Sequence, residues 1–399
     1  MKHWRKLVWA FLVLVVVSQL PFAYRRYKLG KLHAAILSLS AQRQDVQDEG
    51  WREYVGVSHV HSFLGGHSSG TFQDIVSAAQ NNKLHFVLLT EHPAKEFNTA
   101  EKSLKGLHGG VLFVNGNEVS TATGDRLLVF PGDGQAMDQQ PTQEVLSLHS
   151  SRSKFVAYPE SFNSWNLSGY EGIEVYNVYT NAQDINSLVM FFDGLWSYRS
   201  YPDLLFANFY RRPSNNLNHW DALTVRTKRR VVAIGGNDSH ANIGFALHDA
   251  SGKTLLGLKL DPYERSFGLV RLHVLVRNDQ TLNEQTLMRA IADGNCFIGF
   301  DVFGDTTGFR FSAANADESR VMGEEISLNG EVRLIVRTTV PSRVLLLKDG
   351  QKIWEEQQAS RLEHIVRERG SYRVEVYLPD LPHPVRDQPW IISNPIYVR

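Results

Sequence analysis

Short apolar runs along the middle of this chain are each followed by a histidine or a carboxylate. Tyr54-Val55-Gly56-Val57 precedes Ser58-His59-Val60-His61, and later runs end at Glu91-His92, at Glu118 and at Asp238-Ser239-His240. Residues two apart in a strand point to the same face, so His59 and His61 can face one point. Neutral imidazole is the commonest protein ligand for zinc and similar ions. The pattern favours a fold that gathers strand ends around one site, as barrel enzymes do.

Strand and helix signals alternate from about residue 51 to residue 301. Thr71-Phe72-Gln73-Asp74 has the pattern of a capping box, and an apolar helical stripe follows it. A short buried-strand run covers 85–90, and 284–293 is typical of a helix that ends at Gly294. Repeated alternation of this kind predicts a parallel sheet, and the number of units favours its closure into a barrel.

After about residue 305 only strand signals remain. A turn at Asp349-Gly350 is typical of a hairpin. The strand spacing predicts a small β-sandwich over 305–399. The predicted strands are Val332–Thr339, Arg343–Lys348, Leu362–Val366, Tyr372–Leu378 and Ile396–Val398.

An almost wholly apolar run, Leu7–Ala23, lies near the start of the chain between basic flanks. It is slightly shorter than the about 20 residues of a typical spanning helix but lies within the usual range. Pro21-Phe22-Ala23 fits a signal-peptide cleavage site poorly. We therefore expect an uncleaved, single-pass anchor over 1–27 and a helical stalk over 28–50. Both flanks are basic, so the orientation follows the default for an N-terminal anchor, with the body of the protein extracytoplasmic or periplasmic.

Composition excludes some classes of site and of partner. Lys plus Arg and Asp plus Glu both number 42, so the net charge is zero and gives no global attraction to nucleic acid. The single cysteine, Cys296, excludes a disulfide within the chain and a cysteine-based zinc site. Any metal must be held by His, Asp and Glu side chains, which together suit Zn, Mn or Fe better than Ca or Mg.

Together these motifs resemble the PHP (polymerase and histidinol phosphatase) family. The segment 55–93 resembles its first two motifs, Asn117-Glu118-Val119 its third-strand glutamate, and Asn237-Asp238-Ser239-His240 its closing Asp-x-His. The resemblance covers about 50–301. It implies an α/β fold with a distorted (β/α)7 barrel over 51–304, here between the N-terminal transmembrane helix and the C-terminal β-sandwich of 305–399.

The resemblance also implies a ligand set for two or three divalent transition-metal ions. One ion would take His59, His61, Glu118 and Asp238, and a second would take His67, His92 and His240, with Glu118 bridging. Asp238, Glu118 and His240 would carry catalysis. Glu91 is interpreted as a partner that orients a histidine.

The chain departs from the family pattern at four places. Glu91 and Ser58 each stand where the family has an aspartate, and the other two departures replace histidines. Gly124-Asp125-Arg126 stands where many members have a histidine after the third-strand glutamate, and Tyr158-Pro159 stands where many have His-Pro. Those histidines normally complete the site of a third ion. Asp125 could replace one as an oxygen ligand, whereas Tyr158 is a poorer replacement, so the site is either binuclear or partly degenerate.

The expected function is a membrane-anchored phosphoesterase that hydrolyses a phosphate ester through a metal-bound hydroxide. Its substrate would be a phosphorylated small molecule or a nucleotide, and no stable nucleic-acid partner is expected. Two alternatives remain open. One is a nuclease or another ester hydrolase on the same metal site. The other is a degenerate barrel that acts as a binding module of the cell envelope.

Overall fold

The computed structural model describes residues 2–46, 50–133, 137–147, 152–183, 185–242, 244–248, 254–259 and 261–399. Its helices are α1 (Lys2–Ser40), α2 (Phe72–Asn81), α3 (Thr99–Lys102), α4 (Thr142–Ser147), α5 (Val178–Ala182), α6 (Ser187–Ser197), α7 (Ser214–Thr227), α8 (Tyr263–Ser266) and α9 (Glu284–Ala292).

The strands fall into an earlier set that alternates with helices and a later set without them. The earlier strands are β1 (Trp51–Val60), β2 (Phe86–Leu89), β3 (Gly106–His108), β4 (Val111–Val114), β5 (Asn117–Ser120), β6 (Arg126–Phe130), β7 (Ser153–Ala157), β8 (Gly172–Asn177), β9 (Val232–Gly236), β10 (Gly244–His248), β11 (Thr254–Lys259), β12 (Arg271–Arg277) and β13 (Cys296–Gly299). The later strands are β14 (Arg310–Ala314), β15 (Ser319–Val321), β16 (Glu325–Ile326), β17 (Val332–Lys348), β18 (Gln351–Val366), β19 (Gly370–Tyr377), β20 (Ile391–Ser393) and β21 (Ile396–Val398).

Two large sheets carry the fold. One runs in the order β15-β14-β17-β19-β20-β13-β12-β1-β2-β4-β3, and the other runs β5-β6-β7-β8-β9. Isolated parallel bridges join them at Val60–Ser239 and at Glu91–Asn117. Backbone N–H groups of His61 and Ser239 reinforce the first bridge by donating across it. The carboxyl ends of β1, β2 and β9 therefore meet at the start of β5. Closure of the two sheets into a complete barrel stays a prediction.

The predicted parallel sheet is wrong in part, because the structure is mixed. β1–β2–β4 and β7–β8–β9 are parallel, but β5–β6–β7 and β1–β12–β13 pair antiparallel. The turn 121–125 between β5 and β6 is too short for the crossover that a parallel pair requires.

The later, strand-rich part of the chain hydrogen-bonds directly to the earlier part. β20 pairs with β13 on one side and with β19 on the other. The Asn394 amide also donates to the carbonyls of Ala233 and Cys296, which ties β9 to β13. The predicted strands 332–339 and 343–348 are one strand of 17 residues, β17, whose partner β18 has 16 residues. The boundary at residue 304 and the sandwich arrangement stay predictions.

Helix α1 covers the predicted anchor and most of the predicted stalk without a break. It is long and apolar enough to cross a membrane, and none of its most apolar window is buried. Beyond residue 28 the helix packs against the rest of the protein, since Leu29, Leu32 and Leu39 are buried in its hydrophobic core. Residues 47–49 of the predicted stalk lie outside the described residues.

A buried charge cluster around His273 ties the edge of β1 to β12. Its Nδ1 donates to Glu53 at 2.7 Å and its Nε2 donates to Asp301 at 3.2 Å, so both carboxylates favour the imidazolium. Burial alone would lower the pKa of His273, but Asp301 and Glu53 raise it to about 9. Because the pKa is higher in the folded state than its unfolded value of 6.5, protonated His273 stabilises the fold fully below pH 6.5. This contribution is lost as the pH rises through about 9.

We predict that the free energy of unfolding decreases by up to about 3 kcal/mol between pH 6.5 and pH 10 through this group. His273→Gln should be less stable at pH 6.5 and should lose most of this pH dependence. Thermal unfolding of the full chain in detergent, followed by circular dichroism, measures both. An equal pH slope in the two proteins would contradict the assignment. His364→Gln, at a partly exposed position of β18, is the control.

Candidate metal centre

The His-x-His pair lies where β1 ends, as its alternation predicts. Both side chains are buried, and their ring centroids are 5.1 Å apart. His59 has φ 60°, in the left-handed region that non-glycine residues rarely adopt. Neither ring nitrogen of His61 has a hydrogen-bond partner among the described residues, although both are buried. An orphaned buried imidazole is destabilising unless another group, such as a metal ion, satisfies it.

Glu118, on β5, brings one carboxylate oxygen to three of the predicted histidines. Its Oε2 lies 3.2 Å from Nε2 of His59, 3.4 Å from Nε2 of His61 and 3.7 Å from Nδ1 of His92. The carboxylate is buried with the rings of His59 and His61, whereas His92 is partly exposed. The position of Oε2 between them is the one expected of a bridging ligand.

Asp238, two residues past β9, completes the first group. Its Oδ1 lies 3.5 Å from Nε2 of both His59 and His61 and has no hydrogen-bond partner among the described residues. The other oxygen, Oδ2, accepts from the Tyr158 hydroxyl at 2.6 Å and from the Asn177 amide at 3.3 Å. Oδ2 is therefore held by the protein, while Oδ1 faces the histidines.

A second group of imidazoles stacks beside the first. The ring of His61 stacks on those of His92 and His240, with centroid distances of 4.4 and 4.2 Å, and the latter two rings are 5.9 Å apart. Nδ1 of His240 donates to the backbone carbonyl of Asp238 at 3.0 Å, which leaves the lone pair on Nε2. His67, predicted in this group, is exposed in a loop, and its ring lies 5.0 Å from that of His92. Its role as a ligand stays a prediction.

Glu174, which sequence reasoning missed, orients His59 from behind. Its Oε1 accepts from Nδ1 of His59 at 2.7 Å, so in the neutral ring that binds metal the lone pair lies on Nε2, toward Glu118. A Cβ on Gly236 would lie 1.7 Å from this Oε1, so the contact requires glycine there. The signal in the sequence is a carboxylate between Ile173 and Val175, in the middle of an otherwise apolar strand. Such a partner fixes the tautomer of a metal-binding histidine.

The electrostatics of the centre favour a cation. Three buried carboxylates, Glu118, Glu174 and Asp238, surround His59. Burial and the neighbouring histidines lower the pKa of His61 to about 3, so it is neutral at pH 7. Burial would raise the pKa of Glu118, but the His59 hydrogen bond and the neighbouring imidazoles lower it to about 2. Neutral His61 and ionised Glu118 are protonation states that bind metal. Burial would lower the pKa of His59, but Glu174, Asp238 and Glu118 raise it well above its usual value, so His59 would release a proton on binding the ion.

The residues present fit a metal ion in their spacing as well. Ligand atoms of His59, His61, Glu118 and Asp238 all lie within 4.8 Å of one another, and those of His61, His92 and His240 form a second such group. Ligands about 2.0–2.2 Å from a tetrahedral ion lie about 3.3–3.6 Å apart, close to the separations observed in the first group. The structure therefore contains a buried His/Glu/Asp cluster suited to divalent metal, with His61 common to both groups.

Backbone strain is concentrated here. Tyr158 and Asp238 have φ of 48° and 49°, in the same left-handed region as His59. Each of these residues contacts another of the three. Strain of this kind persists only where the surrounding structure enforces it, and it is typical of functional sites.

The two departures that replace histidines of the family pattern have defined partners. Arg126 donates to Oε1 of Glu118 at 2.6 Å, while Tyr158 donates to Asp238. The proposed replacement ligand Asp125 lies in neither group. Its carboxylate instead accepts from Thr142 at 2.7 Å and from the Asn163 backbone at 2.6 Å. Asp125 therefore stabilises the adjoining loop.

Glu91 acts on the backbone beside the centre. Its Oε2 accepts from the Ser62 N–H at 2.9 Å and its Oε1 from the Ser103 hydroxyl at 2.9 Å. Among the described hydrogen bonds of its carboxylate, none is with an imidazole. The expectation that it orients a histidine directly is therefore wrong, and Glu91 instead fixes the chain just after His61.

Comparison with known proteins gives distant structural likenesses. No protein-family model and no curated protein matches the chain. A two-domain protein from Bacteroides vulgatus, containing a predicted PHP-like metal-dependent phosphoesterase, is 13% identical, with 88% of this chain and 98% of that chain covered and a TM-score of 0.39. PsfC from Pseudomonas syringae is 16% identical over 60% of this chain and 88% of its own, with a TM-score of 0.34. The lesion-specific endonuclease PfuEndoQ from Pyrococcus furiosus is 13% identical over 60% and 56%, with a TM-score of 0.32.

We predict that Glu118→Gln weakens metal binding in both groups, because the change removes the charge that three imidazoles share. The number of bound ions, measured by elemental analysis at buffered free Mn²⁺ or Zn²⁺, should fall from two toward less than one. His67→Ala should weaken mainly one site, and His108→Ala, on exposed strand β3, should change nothing. Retention of two ions with unchanged affinity by Glu118→Gln would contradict the bridging assignment.

We predict that Glu174→Gln lowers metal affinity roughly 10- to 100-fold, the usual effect of removing a partner of a metal-binding histidine. Competition with a chelator of known affinity measures the change. The matched control is Glu171→Gln, since Glu171 is bound to the Lys154 backbone at 2.6 Å instead of to a histidine. Equal affinities in both variants would show that Glu174 has only a structural role.

Proposed function

We propose that this chain is a membrane-anchored, metal-dependent phosphoesterase of the PHP type. The observation that carries the proposal is Oε2 of Glu118, which lies within 3.7 Å of nitrogens of His59, His61 and His92, beside the orphaned Oδ1 of Asp238. Ligands for two adjacent cations, at a corner where strand ends meet, suit hydrolysis of phosphate esters. On this proposal the two sheets form the distorted (β/α)7 barrel.

The reaction adds water across a P–O bond and releases an alcohol and a phosphate. His59, His61, Glu118 and Asp238 would hold one ion, and His92 and His240, with His67 or His61, the other. Paired divalent ions supply an acidified water and neutralise charge on the phosphoryl oxygens. Glu174, Tyr158 and Asn177 hold the ligands in position through hydrogen bonds.

Arg126 is suited to bind the phosphoryl group. Its guanidinium donates one N–H to Glu118, yet the side chain is 40% exposed, so other donors can reach a substrate. Arginine donors in this fork geometry bind phosphate oxygens in pairs. Arg126 also neutralises part of the charge of Glu118. It lies in the segment 124–126, where many members of the PHP family have a further histidine.

Helix α1 would anchor the protein, with the body extracytoplasmic. The exposure of its most apolar window supports the anchor. A reporter fused after Arg399 would test the orientation.

A metal-defined screen of phosphate monoesters, diesters and nucleotides tests the function. We expect the full-length, metal-loaded chain to hydrolyse at least one class and to lose activity on chelation. Asp238→Asn should lower kcat beyond any loss of bound metal, because the weaker ligand leaves the ion displaced. Arg126→Met should lower kcat/KM by 10-fold or more, with partial recovery in Arg126→Lys.

The control for this screen is Arg361→Met, a change on the exposed part of β18. Full metallation without turnover of any phosphoester would contradict the proposal and favour the binding-module alternative.

A further inference from the structure

An apolar cavity adjoins the candidate metal centre and reaches the membrane helix. It has a volume of about 160 Å³, and its lining includes the ligand Asp238 as well as Arg25 of α1. Most of the wall is apolar, from α5, α6 and the segment between α6 and α7. The main apolar contributors are Val178, Ile185, Met190, Leu205, Phe206 and Leu269.

An unsatisfied polar side chain lines the same cavity. Asn237 is only 3% exposed, and neither its amide nitrogen nor its amide oxygen has a hydrogen-bond partner among the described residues. A buried amide without partners is destabilising, so its presence points to a ligand that satisfies it. Because Asn237 directly precedes Asp238, that ligand would carry a polar group close to the metal centre and an apolar group beyond it.

Helix α6 covers this cavity and lies against the end of the apolar run of α1. Asp193 binds Arg25, the Trp196 indole donates to Gln19 at 3.0 Å, and the rings of Phe22 and Phe192 are 4.9 Å apart. The contacts fix α6 at the level where the apolar run of α1 ends. A bilayer crossed by α1 would therefore have its surface beside α6.

The outer face of α6 is apolar and exposed. Leu188, Phe191 and Leu195, at helical spacings of three and four, are 65%, 40% and 68% exposed. Met190 and Asp193, by contrast, line the cavity. An apolar face of this kind, continuous with a candidate membrane span, suits insertion into the bilayer surface.

We infer that the substrate is a phosphate ester of a lipid or long-chain alcohol, drawn from the bilayer beneath α6 with its apolar chain in this cavity. The inference rests on the proposed phosphoesterase function. The phosphoryl group would face Asp238 and Arg126. The Asn237 amide would hydrogen-bond to the polar atoms of the substrate where the phosphate group joins the apolar chain. An apolar cavity of roughly 150 Å³ binds benzene, so this one takes the first few carbons of a chain, and the remainder extends along α6.

Chain-length dependence of turnover tests the cavity. The substrates are n-alkyl phosphates from methyl to octyl, or their methyl diesters, whichever class the screen finds to be hydrolysed. We expect kcat/KM to rise roughly three- to fourfold per methylene until the cavity is filled. Ala182 lines the cavity. Ala182→Phe, which narrows it, should remove this gain with chain length, whereas Val225→Phe on α7 should retain the gain. Calorimetric binding of the corresponding alkylphosphonates should follow the same order.

The outcomes separate the two proposals. Turnover of methyl esters with no gain from longer chains would overturn the lipid inference alone. A gain that Ala182→Phe leaves intact would overturn the assignment to this cavity. No turnover at any chain length in the metallated protein would overturn the phosphoesterase function, and the inference with it.

A second measurement distinguishes a bilayer source from a soluble amphiphile. The lone cysteine, Cys296, is buried, so a cysteine placed at Leu195 can be labelled selectively with an environment-sensitive fluorophore. In phosphatidylcholine vesicles, the label of full-length Leu195→Cys should shift to shorter wavelength and resist aqueous iodide. Leu107→Cys, on β3 and 74% exposed in the native protein, is the control and should remain quenched. Equal quenching at both positions would overturn the bilayer source.

Discussion

The structure around the candidate site depends on a buried cluster of three carboxylates, whose negative charge a bound cation would balance. Glu118, Glu174 and Asp238 are removed from water together, and His59 contacts all three. Carboxylates in such an environment are costly unless paired. The left-handed backbone of His59 and Asp238 and the orphaned nitrogens of His61 are further features that a bound ion would explain.

The fold delivers these residues because its two sheets meet at strand ends. Parallel pairing of β1 with β2 and of β8 with β9 brings the chain segments after β1, β2 and β9 to one corner. Carboxyl ends of parallel strands are where α/β proteins usually place their sites. The later strands extend the larger sheet through β20, so they support β13 and β12 behind this corner.

The sequence predicts the residues that follow apolar runs, since position after a strand determines where a side chain lies. His59, His61, Glu118 and Asp238 come together on that basis, as do His92 and His240 with His61. Glu174 could not be placed, because a carboxylate inside a buried strand resembles a core residue until its partner is known. The antiparallel β5–β6–β7 order and the Arg126–Glu118 pair likewise depend on tertiary contacts, which local periodicity does not encode.

Anomalous diffraction from crystals of the Mn²⁺- or Zn²⁺-loaded protein tests the central claim most directly, because it locates bound ions without reference to activity. We predict one peak within ligand distance of Nε2 of His59 and His61, Oε2 of Glu118 and Oδ1 of Asp238, and a second beside His92 and His240. Crystals that contain the metal in excess but show no anomalous peak among these atoms would contradict the account.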